Sequence, residues 1–442
     1  MAFQQGLSGL NVSARSLDVI GNNIANASTV GFKYTNAQFA DVYATTLTGA
    51  RQIGIGAMIN ETVQQFGQGN IASSSNPLDL AINGNGFFRM LNSSNETTYT
   101  RNGQFLLDKD GYVTDATGNN LTGYGVDATY TIVPAQPSKI RIDMSDIAAK
   151  ATATINIGLN LDSRETTPTP NFSITDPTSY NHSTSVTSYD SLGNSHTLSL
   201  YYRKITAIDA NTDGDYVDAG DTPQNTWKLY TRLDGAPPVS GVGTDANPAF
   251  VAFNSSGAMV TAPSVTVAGV LTAAFTATGA AAAIPQSFTL SGGATTPLAF
   301  DLKMTGTTQY GNTFGVNSLS QDGFTAGKLA GLSIGKDGVI QGRYTNGQSR
   351  DNAQVVVVTF NNPNGLMSLG GNQWVATSDS GQPLVNEPGV GAGILQSAAY
   401  EESNVDLTSE LVAMIVQQRI YQANAQTIKT QDSVLQTLVN MR

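Results

Sequence analysis

The stretch from Leu407 to Met441 is helical in pattern yet apolar on two separate faces, and such a helix is stable only when two partners cover it. One seam runs Leu407, Leu411, Met414, Gln418, Tyr421, Ala425, Ile428, Asp432, Leu435 and Val439, with the spacing of a coiled coil. A second runs Val416, Ile420, Ala423, Thr427, Thr430, Val434 and Met441, about 200° further round. A third stripe is polar: Arg419, Gln422, Gln426, Lys429, Ser433, Gln436 and Asn440. From 411 to 442 the only charges are Arg419, Lys429, Asp432 and Arg442, too few to keep a free helix of this kind in solution. Asn404 and Asp406 are both placed to cap it, and roughly 37 residues give about 55 Å.

The N-terminus repeats the theme. Phe3, Leu7, Leu10, Ala14, Leu17, Gly21 and Ile24 keep the same spacing for three heptads, and the pattern stops in a loop, Asn26 to Gly31. One short helix cannot cover two faces of a longer one. Contacts between copies of the chain are therefore expected, with Phe3, Leu7, Leu10, Leu17, Ile24, Leu411, Met414, Tyr421, Ile428 and Leu435 as the assembly residues.

Composition removes most chemical functions. Charged residues are 12% of the 442, about half the usual share of roughly 25%. A net charge of −11 without clustered Lys or Arg argues against nucleic acid, whose phosphates require basic clusters. There is no Cys, hence no disulfide, thiolate metal site or Cys nucleophile. Only two histidines, His182 and His196, are available for metal binding or proton transfer. The first 26 residues carry Arg15 and Asp18 and lack the basic and apolar regions of a secretory signal peptide. Val265 to Ile284 has 20 uncharged residues, the length of a membrane span. It contains Gly269, Thr272, Thr276, Thr278 and Gly279 between Pro263 and Pro285, so small-residue strands are expected and no membrane insertion.

Between about Gln64 and Gly393 the local signals are strands and turns. Asp79–Ile82 and Phe87–Met90 flank Asn83-Gly84-Asn85-Gly86 and read as a hairpin. Ser185–Tyr189 and His196–Lys204 flank Asp190–Asn194 and read as a second; Trp227–Leu233 and Val355–Phe360 read as further strands. Leu106–Val113 and Ser333–Ile340 echo each other as strand, Asp-Gly turn, strand. Both flanks of the middle region thus contribute to one domain, into which a segment of about 163–300 is inserted. Gly331-Leu332-Ser333-Ile334-Gly335 matches G-x-S-x-G, but Ser333 lies within a strand and no helix follows, so it is no nucleophile elbow. Asp209, Asn211, Asp213 and Asp215 match half of a calcium loop, with Gly220 where the closing Glu belongs; a solvated acidic turn is the simpler reading and calcium the weaker one. No cofactor and no catalytic residue are expected.

Ser16 to Lys33, "SLDVIGNNIANASTVGFK", resembles the N-terminal signature of bacterial flagellar axial proteins, the rod and hook group. "DLAINGNGFF" at 79–88 and Ser403 to Arg442 resemble two further segments of that group. "YDSLGNSHTL" at 189–198, Thr307 to Gly311 and "NSLSQDGFTAG" at 317–327 are similar to its hook branch. The resemblance implies a multidomain α+β subunit: a coiled-coil-like helical domain made from both chain ends, with nested all-β domains between. It places an inner domain at 1–35 and 400–442, a connecting segment at 36–70, a first β domain at 71–145 and 324–397, and an outer β domain at 146–323. It implies a helical homopolymer that joins rod to filament and transmits torque. The implied partners are the rod, hook-cap and hook–filament junction proteins and the flagellar type III export apparatus. The terminal helix then lines a channel, and the polar stripe Arg419 to Asn440 is expected to face it. A distal rod protein and a secreted calcium-dependent adhesin are the alternatives.

Overall fold

Both heptad-patterned ends are helical, α1 over Ala2–Ala25 and α2 over Leu407–Asn440. The structure is a computed structural model and describes residues 2–42, 54, 56–208, 222–241, 243–245, 248–254, 256–260 and 283–440. The Asp209–Asp215 loop, Met441 and nearly all of Val265–Ile284 lie outside the described residues. At 34 residues α2 is about 51 Å long. Of its two candidate caps Asp406 serves, its Oδ1 accepting from the amides of Thr408 (2.9 Å) and Ser409 (3.3 Å). Helix α1 stops at the expected loop, where Gly31 has φ +71 and a Cβ would stand 2.6 Å from the Asn102 amide.

The chain forms two units, one of residues 1–144, 330–343 and 349–442, the other of 145–329 and 344–348. In the first, a hairpin of Thr35–Val42 and Gly56–Gln64 follows α1 directly. This stretch was expected only to connect. Its residues Asn36, Gln38, Asp41, Asn60 and Glu61 disfavour strands, and a lone hairpin is marginal. Helix α1 supports it: Gln5 Nε2 donates to Gly54 O (2.6 Å), and Ala57 N to Ser8 Oγ (3.4 Å).

The main sheet of this unit runs, neighbour by neighbour and antiparallel, Val339–Tyr344, Ser349–Val355, Asn120–Tyr124, Phe87–Leu91, Thr97–Thr100, Gln373–Val375 and Met367–Gly370. Early and late parts of the chain alternate in it, as nesting requires. Leu80, Phe88, Met90, Phe105, Leu121, Ile340 and Val355 form its core. The echoed Asp-Gly turns at Gly111 and Gly338 both need a left-handed φ, +84 and +81.

The expected hairpin at 79–90 does not form. Leu80–Asn83 pairs with Ile394–Ser397, and Phe87–Leu91 with strands of the main sheet. Both segments bury consecutive residues rather than alternate ones, so each needs neighbours of its own. Gly86, at φ +131, is the pivot, and a Cβ there would overlap the Val357 side chain.

The second unit is a pair of sheets. His182–Tyr189, Ser195–Ile208, Thr222–Leu233, Ala249–Phe253 and Met259–Val260 form one, including the expected second hairpin and the Trp227 strand. The other centres on Thr154–Asp162, parallel to Leu298–Lys303 and Thr308–Tyr310 and antiparallel to Gly315–Gln321. Leu198, Leu200 and Tyr202 alternate inward against Ile155, Ile157, Leu159 and Leu161.

One glycine tests the first unit. A Cβ at Gly103 would overlap the Leu80 carbonyl oxygen and stand 3.0 Å from Phe88 Cε2. Gly103→Ala is expected to cost about 1–3 kcal/mol in urea unfolding, because backbone rather than a flexible side chain must yield.

Candidate functional site

The two helices pack antiparallel. A Cβ at Gly6 would stand 3.1 Å from Ile428 Cγ1, and one at Gly9 would stand 2.9 Å from the Asn424 side-chain amide. Nearer the other end, Asn23 Nδ2 donates to Glu410 Oε2 (3.2 Å) and to Thr35 O (2.8 Å), while its Oδ1 accepts from Thr35 N (3.1 Å). Burial pushes the Tyr34 hydroxyl above its ordinary pKa, and the Glu410 carboxylate adds to that. The residues of α1 that meet α2 here are Gly6, Gly9 and Asn23, a line of small or polar residues.

The expected assembly residues stand mostly off this line. On α1 the seam Phe3, Leu7, Leu10, Leu17, Ile24 lies one position further along than the contact line, about 100° round the helix. Phe3 is 48% and Leu7 45% exposed; Leu10, Leu17 and Ile24 are half-buried. On α2 Leu411 (45%), Tyr421 (36%) and Leu435 (54%) are exposed, and Met414 and Ile428 are half-buried. The Ile428 side chain meets α1 at Gly6. The stripe Arg419, Gln422, Gln426, Lys429, Ser433, Gln436 and Asn440 is exposed throughout. Val412 and Ile415, also exposed, continue its line toward the start of α2.

A buried charge cluster, absent from the sequence reading, joins these helices to the first unit's β-structure. Glu401, at the end of strand Ala399–Glu401, accepts from Lys33 Nζ (2.7 Å) and Gly69 N (2.7 Å) through Oε1 and from Arg101 Nη1 (3.1 Å) through Oε2. All three ionic side chains are buried. Lys33 Nζ also donates to Gly67 O (2.8 Å), and Arg101 Nη2 to Gly84 O (2.8 Å). Burial holds the Lys33 ammonium below its ordinary pKa; Glu401 opposes that and Arg101 adds to it. Burial lowers Arg101 too, against Glu401. Beside the cluster, Asn404 Oδ1 accepts from Tyr34 N (2.7 Å) and its Nδ2 donates to Gln65 O (2.9 Å), so this second cap candidate anchors the approach to α2 instead.

Elsewhere the chemistry is structural. Ser333 sits within strand Leu329–Ile334. His182 stacks on Phe314 at 4.4 Å, and burial lowers its pKa. Among the described residues no group of His, Asp or Glu is arranged to hold a metal ion, and no helix is long and apolar enough to cross a membrane.

Comparison with known proteins agrees with this geometry. Residues 3–33 match the family described as flagella basal body rod protein, and 396–441 the C-terminal family of the flagellar basal body rod FlgEFG proteins. Residues 81–160 match the flagellar hook protein FlgE/F/G D1 domain, and 160–324 the flagellar basal body protein FlaE D2 domain. These define a flagellar axial protein. The chain is 39% identical to the flagellar hook protein FlgE of Salmonella typhimurium and 40% to that of Escherichia coli K12, each over the full length of both chains. It is 31% identical to that of Rhizobium meliloti, over all of this chain and 98% of the other. The fold is shared with the crystal structure of Helicobacter pylori flagellar hook protein FlgE2, at a TM-score of 0.50 and 14% identity, over 74% of this chain and 99% of that one. The chain belongs to the flagellar hook protein family; it is a structural subunit of the hook, not an enzyme, and the rod and adhesin alternatives are not favoured.

The charge cluster carries a prediction. Glu401→Ala leaves Lys33 and Arg101 buried without a counter-ion and is expected to cost about 3–5 kcal/mol. Chemical denaturation of the full chain measures the loss. Unchanged stability would mean that the cluster does not hold the helices to the sheet.

Proposed function

We propose that the subunit polymerises through the apolar faces that its own helix pair leaves uncovered. Phe3, Leu7, Leu10, Leu17 and Ile24 on α1, with Leu411, Met414, Tyr421 and Leu435 on α2, form seams between neighbouring copies; Ile428, which already packs on Gly6 of α1 within the subunit, is not counted among them. The observation that carries this reading is the exposure of Phe3, Leu7, Leu411, Val412, Ile415, Val416 and Ile420 at once, although α1 and α2 already pack together. So much apolar surface on a helix with few charges requires cover. Head-to-tail contacts that do not close make an open helical tube.

In that tube the inner layer is residues 1–35 and 400–442, joined through 36–70 to a first β domain at 71–145 and 324–397, with an outer domain at 146–323. The tube is curved, joins rod to filament and acts as a universal joint. Its partners are the rod, hook-cap and junction proteins. Subunits leave the cell through the type III apparatus without a cleaved signal peptide. The stripe Arg419, Gln422, Gln426, Lys429, Ser433, Gln436 and Asn440 faces the channel, where neutral Gln, Ser and Asn are satisfied by water and grip a passing chain weakly.

Two experiments test the two faces. Leu411→Asp removes an apolar contact of about 1.5–3 kcal/mol and puts a charge into a seam. Since Leu411 is exposed in the subunit, the variant is expected to fold normally and fail to form tubes by electron microscopy. Normal tubes would remove Leu411 from the seam. Replacing Gln422, Gln426 and Gln436 together with Leu is expected to permit hook assembly yet slow filament growth, because later subunits meet an apolar wall. Filaments growing at the normal rate would rule out the channel assignment.

A further inference from the structure

The hook-like segment Tyr189 to Leu198 holds a histidine with a carboxylate at each ring nitrogen. His196 Nδ1 lies 2.7 Å from Asp234 Oδ2, and Nε2 lies 3.4 Å from Asp190 Oδ2. An ionised carboxylate only accepts hydrogen bonds, whereas neutral imidazole has one N–H and one lone pair. The neutral ring serves one carboxylate and turns a lone pair on the other; the imidazolium serves both. We propose that His196 is a proton-operated clamp: charged, it ties the turn at Asp190 to the turn at Asp234, and on losing its proton it lets one of them go.

Both carboxylates are held in place by other bonds. Asp190 is buried; its Oδ1 accepts from the amides of Leu192 (2.9 Å) and Asn194 (2.8 Å), and its Oδ2 from Asn194 Nδ2 (2.8 Å). Asp234 Oδ1 accepts from Thr197 N (2.8 Å). Among the described residues these two are the charged groups that face the ring. Nearby, Lys150 and Asp322 satisfy each other at 3.0 Å.

What the clamp controls follows from where the Asp190 turn sits. At Gly193 (φ +85) a Cβ would stand 2.9 Å from Ala149 Cβ and 3.2 Å from Thr325 Cα. Tyr189 N donates to Thr152 Oγ1 (2.8 Å), and Thr152 N to Tyr189 O (2.9 Å). The turn therefore seats on 149–152 and 325. These belong to the two segments by which the chain enters and leaves this unit, and they bridge each other at Ile147 with Gly327 and Lys150 with Phe324. Releasing Asp190 loosens the seat.

The direction in pH is fixed by the same groups. Burial disfavours charge on His196, but its hydrogen bonds to Asp234 and Asp190 outweigh this and raise its pKa above 6.5. Burial works against both carboxylates as well, and hydrogen bonds hold each below 3.8. A raised histidine contributes fully below 6.5, and its contribution is lost as pH rises through the folded value; depressed carboxylates contribute above 3.8 and lose it as pH falls. The clamp is thus closed from about pH 4 to 6.5 and opens on the alkaline side.

The chain has only two histidines, so nitrogen NMR of the ¹⁵N-histidine-labelled full chain resolves the question, with His182→Gln assigning the signals. Both nitrogens of His196 are expected to be protonated at pH 6.5, with a titration midpoint above that value which Asp234→Asn lowers. Amide exchange at Asn194, corrected for its intrinsic rate, is expected to rise about tenfold for each unit by which the folded pKa exceeds the free one. In His196→Gln that rise is absent. A midpoint at or below 6.5, a bare nitrogen at pH 6.5, or the same pH dependence in His196→Gln would overturn the clamp. Should His196→Gln fail to fold, Asp234→Asn, which keeps the histidine, gives the same decision from its midpoint.

Discussion

Glu401 ties three distant parts of the chain at one buried point. Lys33 follows α1, Arg101 follows an early strand, and Glu401 precedes α2. Taking an ion out of water costs several kcal/mol, so such a cluster persists only when geometry compensates. Here the carboxylate accepts three hydrogen bonds and the two cations donate onward to backbone carbonyls. The exit of α1 and the entry of α2 are thereby fixed side by side. Their antiparallel register follows in order: Asn23 against Glu410, Gly9 against Asn424, Gly6 against Ile428.

That register decides which surfaces remain free. Gly6 and Gly9 on α1 let it approach α2 closely. Phe3, Leu7, Leu411, Tyr421 and Leu435, which keep coiled-coil spacing, stay exposed, whereas Ile428 packs on Gly6. A subunit that used Phe3, Leu7 and Leu411 internally would offer less apolar surface to neighbours. The close helix contact and the exposed apolar faces are therefore one arrangement seen from two sides.

Much of this was legible in the sequence, and the failures have physical causes. The helices were readable because period and capping agree over many turns. The hairpin at 185–204 was readable because its turn chemistry is local: Asp190 Oδ1 accepts from amides two and four residues on. The hairpin at 79–90 was misread because Asn-Gly repeats signal a turn but not the partners of the strands beside it. The hairpin at 35–64 was missed because its support comes from Gln5 and Ser8, not from its own composition. The displacement of the α1 contact line by one residue was missed because periodicity rewards large side chains, while helix approach here rewards small ones. The Glu401 cluster had a faint signal. In a chain with 12% charged residues, Lys33 and Arg101 are single charges among uncharged neighbours, which marks them as placed for a partner but not which one.

The polar stripe of α2 gains meaning from where it begins. Stepping back from Gln422 through Arg419 along the same line of the helix leads to Ile415 and Val412, both exposed and both apolar. One face thus changes chemistry along its length, apolar near the Glu401 anchor and polar beyond it, with Arg419 and Lys429 its only charges. A face in uniform contact with water has no use for the first part, and a face buried throughout has no use for the second. The change fits a helix whose start is covered by a neighbouring copy and whose remainder borders a wet space. The polar part carries only Arg419 and Lys429, both basic, so in a tube each recurs in every subunit as a ring of one sign, spaced by neutral Gln, Ser and Asn that water satisfies.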